Sequence, residues 1–201
     1  MTDNPPAPAP SPKRPRPAPG ERRLQILQAL AAMLEQPAGD RVTTAAMAHR
    51  LGVSEAALYR HFASKAQMFE GLIDFTEQSL MALVQQVDAR EPHPLAQTAR
   101  IAGLTLQFAE ANPGLARVLA GDALVQEHPR LQTRVNRLWD KLEAVFKQRL
   151  REAGVRDPVA VALVVQAFLV GRLQGYVRSG FQRKPTEHLE ACLQALLPPV
   201  P

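Results

Sequence analysis

The chain has 201 residues, of which 46% are hydrophobic and 21% charged, a balance typical of a globular protein of one or two domains. Its 24 lysines and arginines exceed its 19 aspartates and glutamates, so the formal net charge is +5 and a polyanionic partner is worth testing. The single cysteine, Cys192, excludes an internal disulfide and a cysteine-based zinc site and favours a reducing cytoplasm. Because no apolar run reaches ~18 residues and no apolar segment follows the N-terminal charges, we expect neither a membrane-spanning helix nor a secretory signal.

The N-terminal segment 1–20 is rich in proline. Eight prolines fall between Pro5 and Pro19, and proline fixes φ and lacks a backbone donor. Basic side chains stand among them at Lys13, Arg14 and Arg16. We therefore expect a disordered basic arm, which either only solubilises the chain or adds phosphate contacts beside a DNA-binding domain.

From Glu21 onward the pattern is helical. Apolar residues between Leu24 and Leu34 recur at helical spacing, as in an amphipathic helix, which should end near Gln36. No strand-type alternation is visible. The pattern predicts an all-α protein with a small helical unit over 21–66 and a larger helical bundle over 67–201.

Prolines, glycines and capping residues delimit the remaining helices. In the first unit, short helices should follow Thr43 or Thr44 and Ser54, and a long helix should follow Ser64, which forms a capping box with Gln67. In the bundle, the pattern predicts helices over about 95–111, 115–125, 129–153, 158–179 and 186–197.

A helix-turn-helix pattern occupies 42–65. Gly52 follows the small Ala48 by four residues and precedes the bulky Leu58 by six, which suits a close helix contact, a turn and an anchor in the core. The second helix, predicted over Ser54–Phe62, would span ~14 Å and could enter a major groove ~12 Å wide. Leu58 and Phe62 should face inward. The spacing alone also suits an ordinary helical bundle.

The residues left for the outer surface are the predicted DNA-binding set. Hydroxyls and amides at the helix N-termini suit phosphates, and Ala56 permits close approach to base edges. The set comprises Thr43, Thr44, Ser54, Glu55, Ala56, Tyr59, Arg60, His61 and Lys65. Taken singly, Tyr59 also suits a partly buried core position, His61 an ordinary surface position and Lys65 a solvated charge.

The run Gly52–Phe62, followed by Ser64 and Lys65, resembles the DNA-binding signature of TetR-type regulators over about 22–75. The resemblance implies a TetR-like fold, in which an N-terminal three-helix helix-turn-helix domain precedes a C-terminal bundle that dimerises. It also implies a homodimer that binds double-stranded DNA at a near-palindromic site.

Later segments resemble the SlmA-type nucleoid-occlusion branch of that family. They cover 75–80, 111–121, 130–132, 176–181 and 184–186. The resemblance implies a nucleoid-associated division inhibitor that, when bound to DNA, antagonises the tubulin-like GTPase FtsZ. It places the FtsZ contact near Phe75, Leu104 and Asn112. Core packing is the alternative interpretation of Phe75 and Leu104, and a helix C-cap that of Asn112.

The predicted helix 158–179 is apolar nearly all round and must be covered on every side. It is therefore either a central core helix or a dimer seam, in which Gly171 and Gly175 would allow close helix approach.

Two other functions remain to be separated from division control. A ligand-released transcriptional repressor would need a pocket of ~300 Å³ or more in the bundle. An enzyme has little support, because the five histidines lack metal-ligand spacing and no catalytic set or phosphate loop is recognisable. We expect no catalytic residues, no metal and no cofactor, and we expect Cys192 to be a small core residue.

Overall fold

The structure is a computed structural model that describes residues 20–36 and 42–198. The predicted basic arm, apart from Gly20, lies outside the described residues. These residues form helices and no strands, which confirms the all-α fold. The helices are α1 (Glu21–Leu34), α2 (Thr44–Leu51), α3 (Glu55–Tyr59), α4 (Lys65–Asp88), α5 (Pro94–Ala111), α6 (Pro113–Leu119), α7 (Pro129–Glu152), α8 (Pro158–Arg178) and α9 (Leu189–Leu196).

Two predicted helices end earlier than their sequence pattern indicated. α3 ends at Tyr59 rather than Phe62, because the Leu58 carbonyl accepts both the His61 amide (2.9 Å) and the Phe62 amide (3.1 Å) as the last turn tightens. The predicted helix over 115–125 begins at Pro113 and ends at Leu119, and Gly121 adopts a φ of +78°. A 3₁₀ helix over Asp122–Leu124 follows.

The last helix also begins later than predicted. The Thr186 hydroxyl donates to the Glu110 carboxylate instead of capping a helix. His188 adopts a φ of +53°, which a right-handed helix cannot accommodate. α9 therefore begins at Leu189.

A buried core joins the N-terminal helices to the bundle. α1 packs against α2, α4 and α6, and α4 in turn packs against α5 and α7. α4 is continuous across the predicted unit boundary after residue 66. The largest fully buried side chains in the first part of the chain are Ile26, Leu30, Met47, Leu58, Phe62, Met68, Phe69, Leu72 and Ile73.

Ion pairs connect the outer surfaces of α4 and α7. Arg130 lies 2.8 Å from Glu70, and Arg149 lies 2.6 Å from Asp88. Asp74 pairs with Arg134, and Glu77 pairs with Lys141. Single exposed pairs contribute ~0–1 kcal/mol each. The series nevertheless matches acidic positions on α4 to basic positions on α7 along the length of both helices.

One face of α8 is buried and another is open. Ala162, Val165 and Leu169 are fully buried, whereas Leu163 and Val164 are 50% and 47% exposed. By length and composition alone, α8 is also apolar enough to cross a membrane, although the core helices of soluble proteins meet the same criterion. This criterion does not overturn the expectation of no membrane-spanning helix, which rested on the absence of a long uninterrupted apolar run.

Candidate nucleic-acid interface

Local hydrogen bonds fix the turn between α2 and α3. The Thr43 hydroxyl caps α2 by accepting the Ala46 amide at 3.1 Å, and the Ser54 hydroxyl caps α3 by accepting the Ala57 amide at 3.3 Å. Between them Gly52 adopts a φ of +64°, which glycine reaches without the steric cost that a side chain would incur. The sequence prediction of both caps and of the glycine turn is confirmed.

The two faces of the α3 segment differ sharply in burial. Leu58 and Phe62 are 0% and 2% exposed, which confirms that they anchor the segment. Tyr59 is 45% exposed and does not lie in the core. The other outward residues of this segment are Glu55, Ala56, Arg60 and His61.

The N-termini of α2 and α3 are joined by a side-chain hydrogen bond. The Thr44 hydroxyl donates to the Glu55 carboxylate over 2.5 Å. Thr43 and Ser54, the two capping residues, precede these partners directly in the chain. The structure therefore brings the two predicted phosphate sites together on one edge of the motif.

Lys65, the last member of the predicted set, begins α4. The Ser64 cap is confirmed, because its hydroxyl accepts the Gln67 amide at 3.2 Å. The Gln67 side chain accepts the Ala63 amide at 2.8 Å, one residue before the Ser64 amide that a capping box would use. The Lys65 ammonium forms an ion pair with Glu127 and lies 5.6 Å from the centre of the Phe69 ring. Lys65 is therefore not a free solvated charge.

Sequence reasoning missed Arg23, which supports the C-terminal end of the α3 segment. Its guanidinium donates to the His61 carbonyl at 2.7 Å and lies 4.0 Å from the centre of the Phe62 ring. No motif marks Arg23, since its partners lie 38 and 39 positions away in the chain.

Arg50 and Arg60 are exposed and form no ion pair within the part of the chain that the structure describes. The motif thus presents exposed cations at the C-terminal ends of α2 and α3.

The residues that the resemblance assigns to a partner lie on α4 and α5. Phe75 is 44% exposed, so its interpretation as a core residue is wrong. Leu104 packs partly against the core and lines a shallow pocket of about 260 Å³ beside Arg100 and Gln107. Asn112 follows α5 as its C-cap and donates to the Phe108 carbonyl at 2.7 Å, as its capping interpretation predicts.

A larger groove opens between α5 and α9. Its volume is about 1150 Å³. Apolar side chains line much of it, including Leu95, Leu189 and Leu193, and Arg100 also lines it. Within the described ranges, no group of three or more histidine, cysteine, aspartate or glutamate residues could hold a metal ion.

Known protein families match both halves of the chain. The family model described as bacterial regulatory proteins, tetR family, matches 26–72, and an SlmA-like model described as a tetracyclin repressor-like C-terminal domain matches 93–198. The nucleoid occlusion factor SlmA of Alteromonas mediterranea is 49% identical over 173 residues, which cover 83% of this chain and 89% of that protein. SlmA of Idiomarina loihiensis is 47% identical over 182 residues, which cover 87% and 93%.

A solved structure gives the same fold at low identity. The fatty acid degradation regulator FadR of Bacillus halodurans superposes with a TM-score of 0.73 at 16% identity, covering 88% of this chain and 95% of its own. At that identity the likeness concerns the fold alone.

Proposed function

Since the chain belongs to the TetR family of bacterial regulatory proteins and, within it, to the nucleoid occlusion factor SlmA group, we propose that it binds chromosomal DNA as a dimer and inhibits FtsZ assembly over the nucleoid. The observation that carries the proposal is the outward face of the α3 segment, which the buried Leu58 and Phe62 hold in place beside two capped helix N-termini.

The geometry indicates how this face would contact a duplex. Thr43 and Ser54 accept backbone amides through their oxygens, so each hydroxyl keeps its own proton to donate to a phosphate. Phosphate contacts of this kind would set the position of α3 in the major groove. Ala56 and Tyr59 would then face base edges, and Arg60, His61 and Lys65 would supply cationic or hydrogen-bonding groups near the backbone.

The open face of α8 supports the dimer. Leu163 and Val164 are about half exposed, and a β-carbon added at Gly171 or Gly175 would meet no atom within 4 Å. A second subunit would cover this apolar face and double the DNA-binding unit. Two-fold symmetry would then require a near-palindromic site with half-sites ~34 Å apart or a multiple of that distance.

The proposed FtsZ surface is the outer side of α4 and α5 around Phe75, Leu104 and Asn112. An exposed aromatic side chain suits the centre of a protein interface. Phe75 lies on the same continuous helix that begins at Lys65. A single rigid element would therefore connect the DNA-binding end to the partner surface.

Sedimentation of FtsZ polymers tests the proposal. We expect the wild-type protein with its DNA site to reduce the polymer fraction, and DNA to strengthen the effect. Phe75→Ala should weaken inhibition while DNA binding stays unchanged. Val125→Ala, which shortens an 81% exposed apolar side chain outside this surface, is the matched control. Unchanged FtsZ assembly at saturating DNA would contradict the proposal.

A ligand-responsive repressor is a second candidate, favoured by the groove between α5 and α9. Its volume of about 1150 Å³ exceeds the ~300 Å³ that a small-molecule site needs, but the groove is open to solvent and is not enclosed within the bundle. Chromosome-wide mapping of bound sites separates the two functions. Dispersed sites that are depleted near the replication terminus would support division control, whereas one site beside a single operon would support local repression.

A further inference from the structure

The ion pair between Lys65 and Glu127 joins the predicted DNA-binding unit to the bundle. Lys65 is the first residue of α4, and Glu127 lies between the 3₁₀ helix and α7. Their side chains are only 20% and 12% exposed. The Glu127 amide also bonds to the Leu124 carbonyl at 3.0 Å, which fixes the backbone that carries the carboxylate.

This pairing conflicts with a phosphate contact at the same ammonium. A lysine ammonium has three donors, but a phosphate bound beside Glu127 would place two anions within a few ångströms of each other. Repulsion between such charges is largest where solvent is partly excluded. A DNA backbone must therefore either displace Glu127 from Lys65 or bind against its negative charge.

We propose that Glu127 is an intramolecular competitor for DNA: its carboxylate occupies Lys65 in the free protein and lowers the affinity for any duplex. The proposal rests on the proposed DNA binding by the α2–α3 motif and adds a regulator of that site. Glu70 and Arg130, 2.8 Å apart, keep α4 and α7 joined when Lys65 exchanges its partner. The exchange is thus local and does not require the helices to separate.

Fluorescence anisotropy with a mixed-sequence duplex tests the competition, because phosphate contacts do not depend on base sequence. Glu127→Gln keeps the shape of the side chain and removes its charge. We expect this variant to bind the duplex about fivefold more tightly than wild type, the scale of one partly exposed ion pair. In a Lys65→Ala background the same substitution should have no effect beyond that of its control.

Glu143→Gln is the matched control, since it removes one carboxylate that is paired with Lys147 within α7. It measures how much the loss of one negative charge by itself raises the affinity for the duplex. The proposed competition would be overturned if Glu127→Gln and Glu143→Gln raised the affinity for the duplex equally, or if Glu127→Gln lowered it. It would also be overturned if Glu127→Gln still raised the affinity in the Lys65→Ala background. These results leave the proposed function intact, whereas a wild-type protein that binds no duplex would overturn both. Thermal unfolding of each variant verifies that the compared proteins are folded.

Discussion

Gly114, in the first turn of α6, lies against the backbone of Ala31 in α1, and a β-carbon on Gly114 would stand 2.1 Å from the Ala31 carbonyl oxygen. No side chain can approach a backbone atom so closely. The bundle therefore touches the first helix of the predicted DNA-binding unit through bare backbone. This contact sets the distance between the two parts of the chain.

Replacing Gly114 with alanine should push α6 away from α1. Because the obstacle is backbone rather than a flexible side chain, we expect a loss of about 2–3 kcal/mol in the free energy of unfolding, the scale of overpacking. Urea unfolding at one fixed protein concentration measures it. Gly103→Ala is the control, since its new β-carbon would meet only a Leu189 methyl group at 3.5 Å. Equal stability of the two variants would contradict the close contact.

A second contact between the same helices depends on Arg117. Its guanidinium donates to the carbonyls of Leu34 at 3.3 Å and Gln36 at 3.4 Å, and it also binds Asp122 at 2.6 Å. Leu34 is the last residue of α1, where carbonyls lack helical partners, and Gln36 follows the C-cap residue Glu35. We expect Arg117→Ala to reduce the free energy of unfolding by about 1–3 kcal/mol.

Arg137→Ala is the control for Arg117, because Arg137 is an exposed α7 residue with no ion pair or side-chain hydrogen bond in the described ranges. Urea midpoints of the two variants give the comparison. If both substitutions cost the same, Arg117 acts only through its charge, and the carbonyl contacts contribute nothing.

Local signals were sufficient to predict most of the fold. The caps at Thr43, Ser54 and Ser64 depend on residues within three positions, and the structure forms all of them. Thr186 has the same chemistry, but its hydroxyl binds Glu110, 76 positions away. That tertiary contact moved the start of the last helix, and no local pattern could reveal it.

In the candidate interface too, local patterns predicted the residues with local partners and missed the contacts between distant parts of the chain. The outward residues of α3 follow from helical periodicity and from the two inward anchors. Lys65 was predicted from its position at a helix start, but its pairing with Glu127 spans 62 positions. Arg23, Gly114 and Arg117 were missed as contact residues for the same reason, because their partners come from distant parts of the chain.

An acidic side chain at Thr44 should abolish DNA binding. In Thr44→Glu the new carboxylate would lie near Glu55, whose oxygen is 2.5 Å from the Thr44 hydroxyl, and beside a proposed phosphate site. We expect no measurable binding to a duplex that wild type binds, with dimerisation unchanged on gel filtration. Thr133→Glu, on the exposed surface of α7, should bind as wild type does. A monomeric Thr44→Glu protein would show that Thr44 has a structural role instead.

A charge on the open face of α8 should prevent dimerisation. Leu163 is 50% exposed in the single chain, and burying an unpaired arginine in an apolar seam is strongly unfavourable. We expect Leu163→Arg to sediment as a monomer and to bind a palindromic site much more weakly. Val125→Arg adds the same charge at a position that is 81% exposed and should remain dimeric. A dimeric Leu163→Arg protein would exclude this face as the seam.

The buried phenol of Tyr176 should make stability depend on pH at the alkaline end. Its hydroxyl donates to the Glu110 carbonyl at 3.2 Å. Burial, followed by the negative charges of Glu110 and Glu35, raises the Tyr176 pKa above its ordinary value of 10.0. The unfolded chain therefore loses this proton first as the pH rises. The contribution of the neutral phenol to stability is complete below pH ~10 and is lost as the pH rises through the folded-state pKa.

Phenolate absorbance measures this shift directly. The chain has two tyrosines, so Tyr59→Phe leaves Tyr176 as the single titrating phenol. We expect its ionisation midpoint in the folded protein to lie above the midpoint in denaturant. Tyr176→Phe should remove the corresponding alkaline loss in the free energy of unfolding. Coincident midpoints in the folded and denatured chains would show that neither burial nor the two carboxylates affect this hydroxyl.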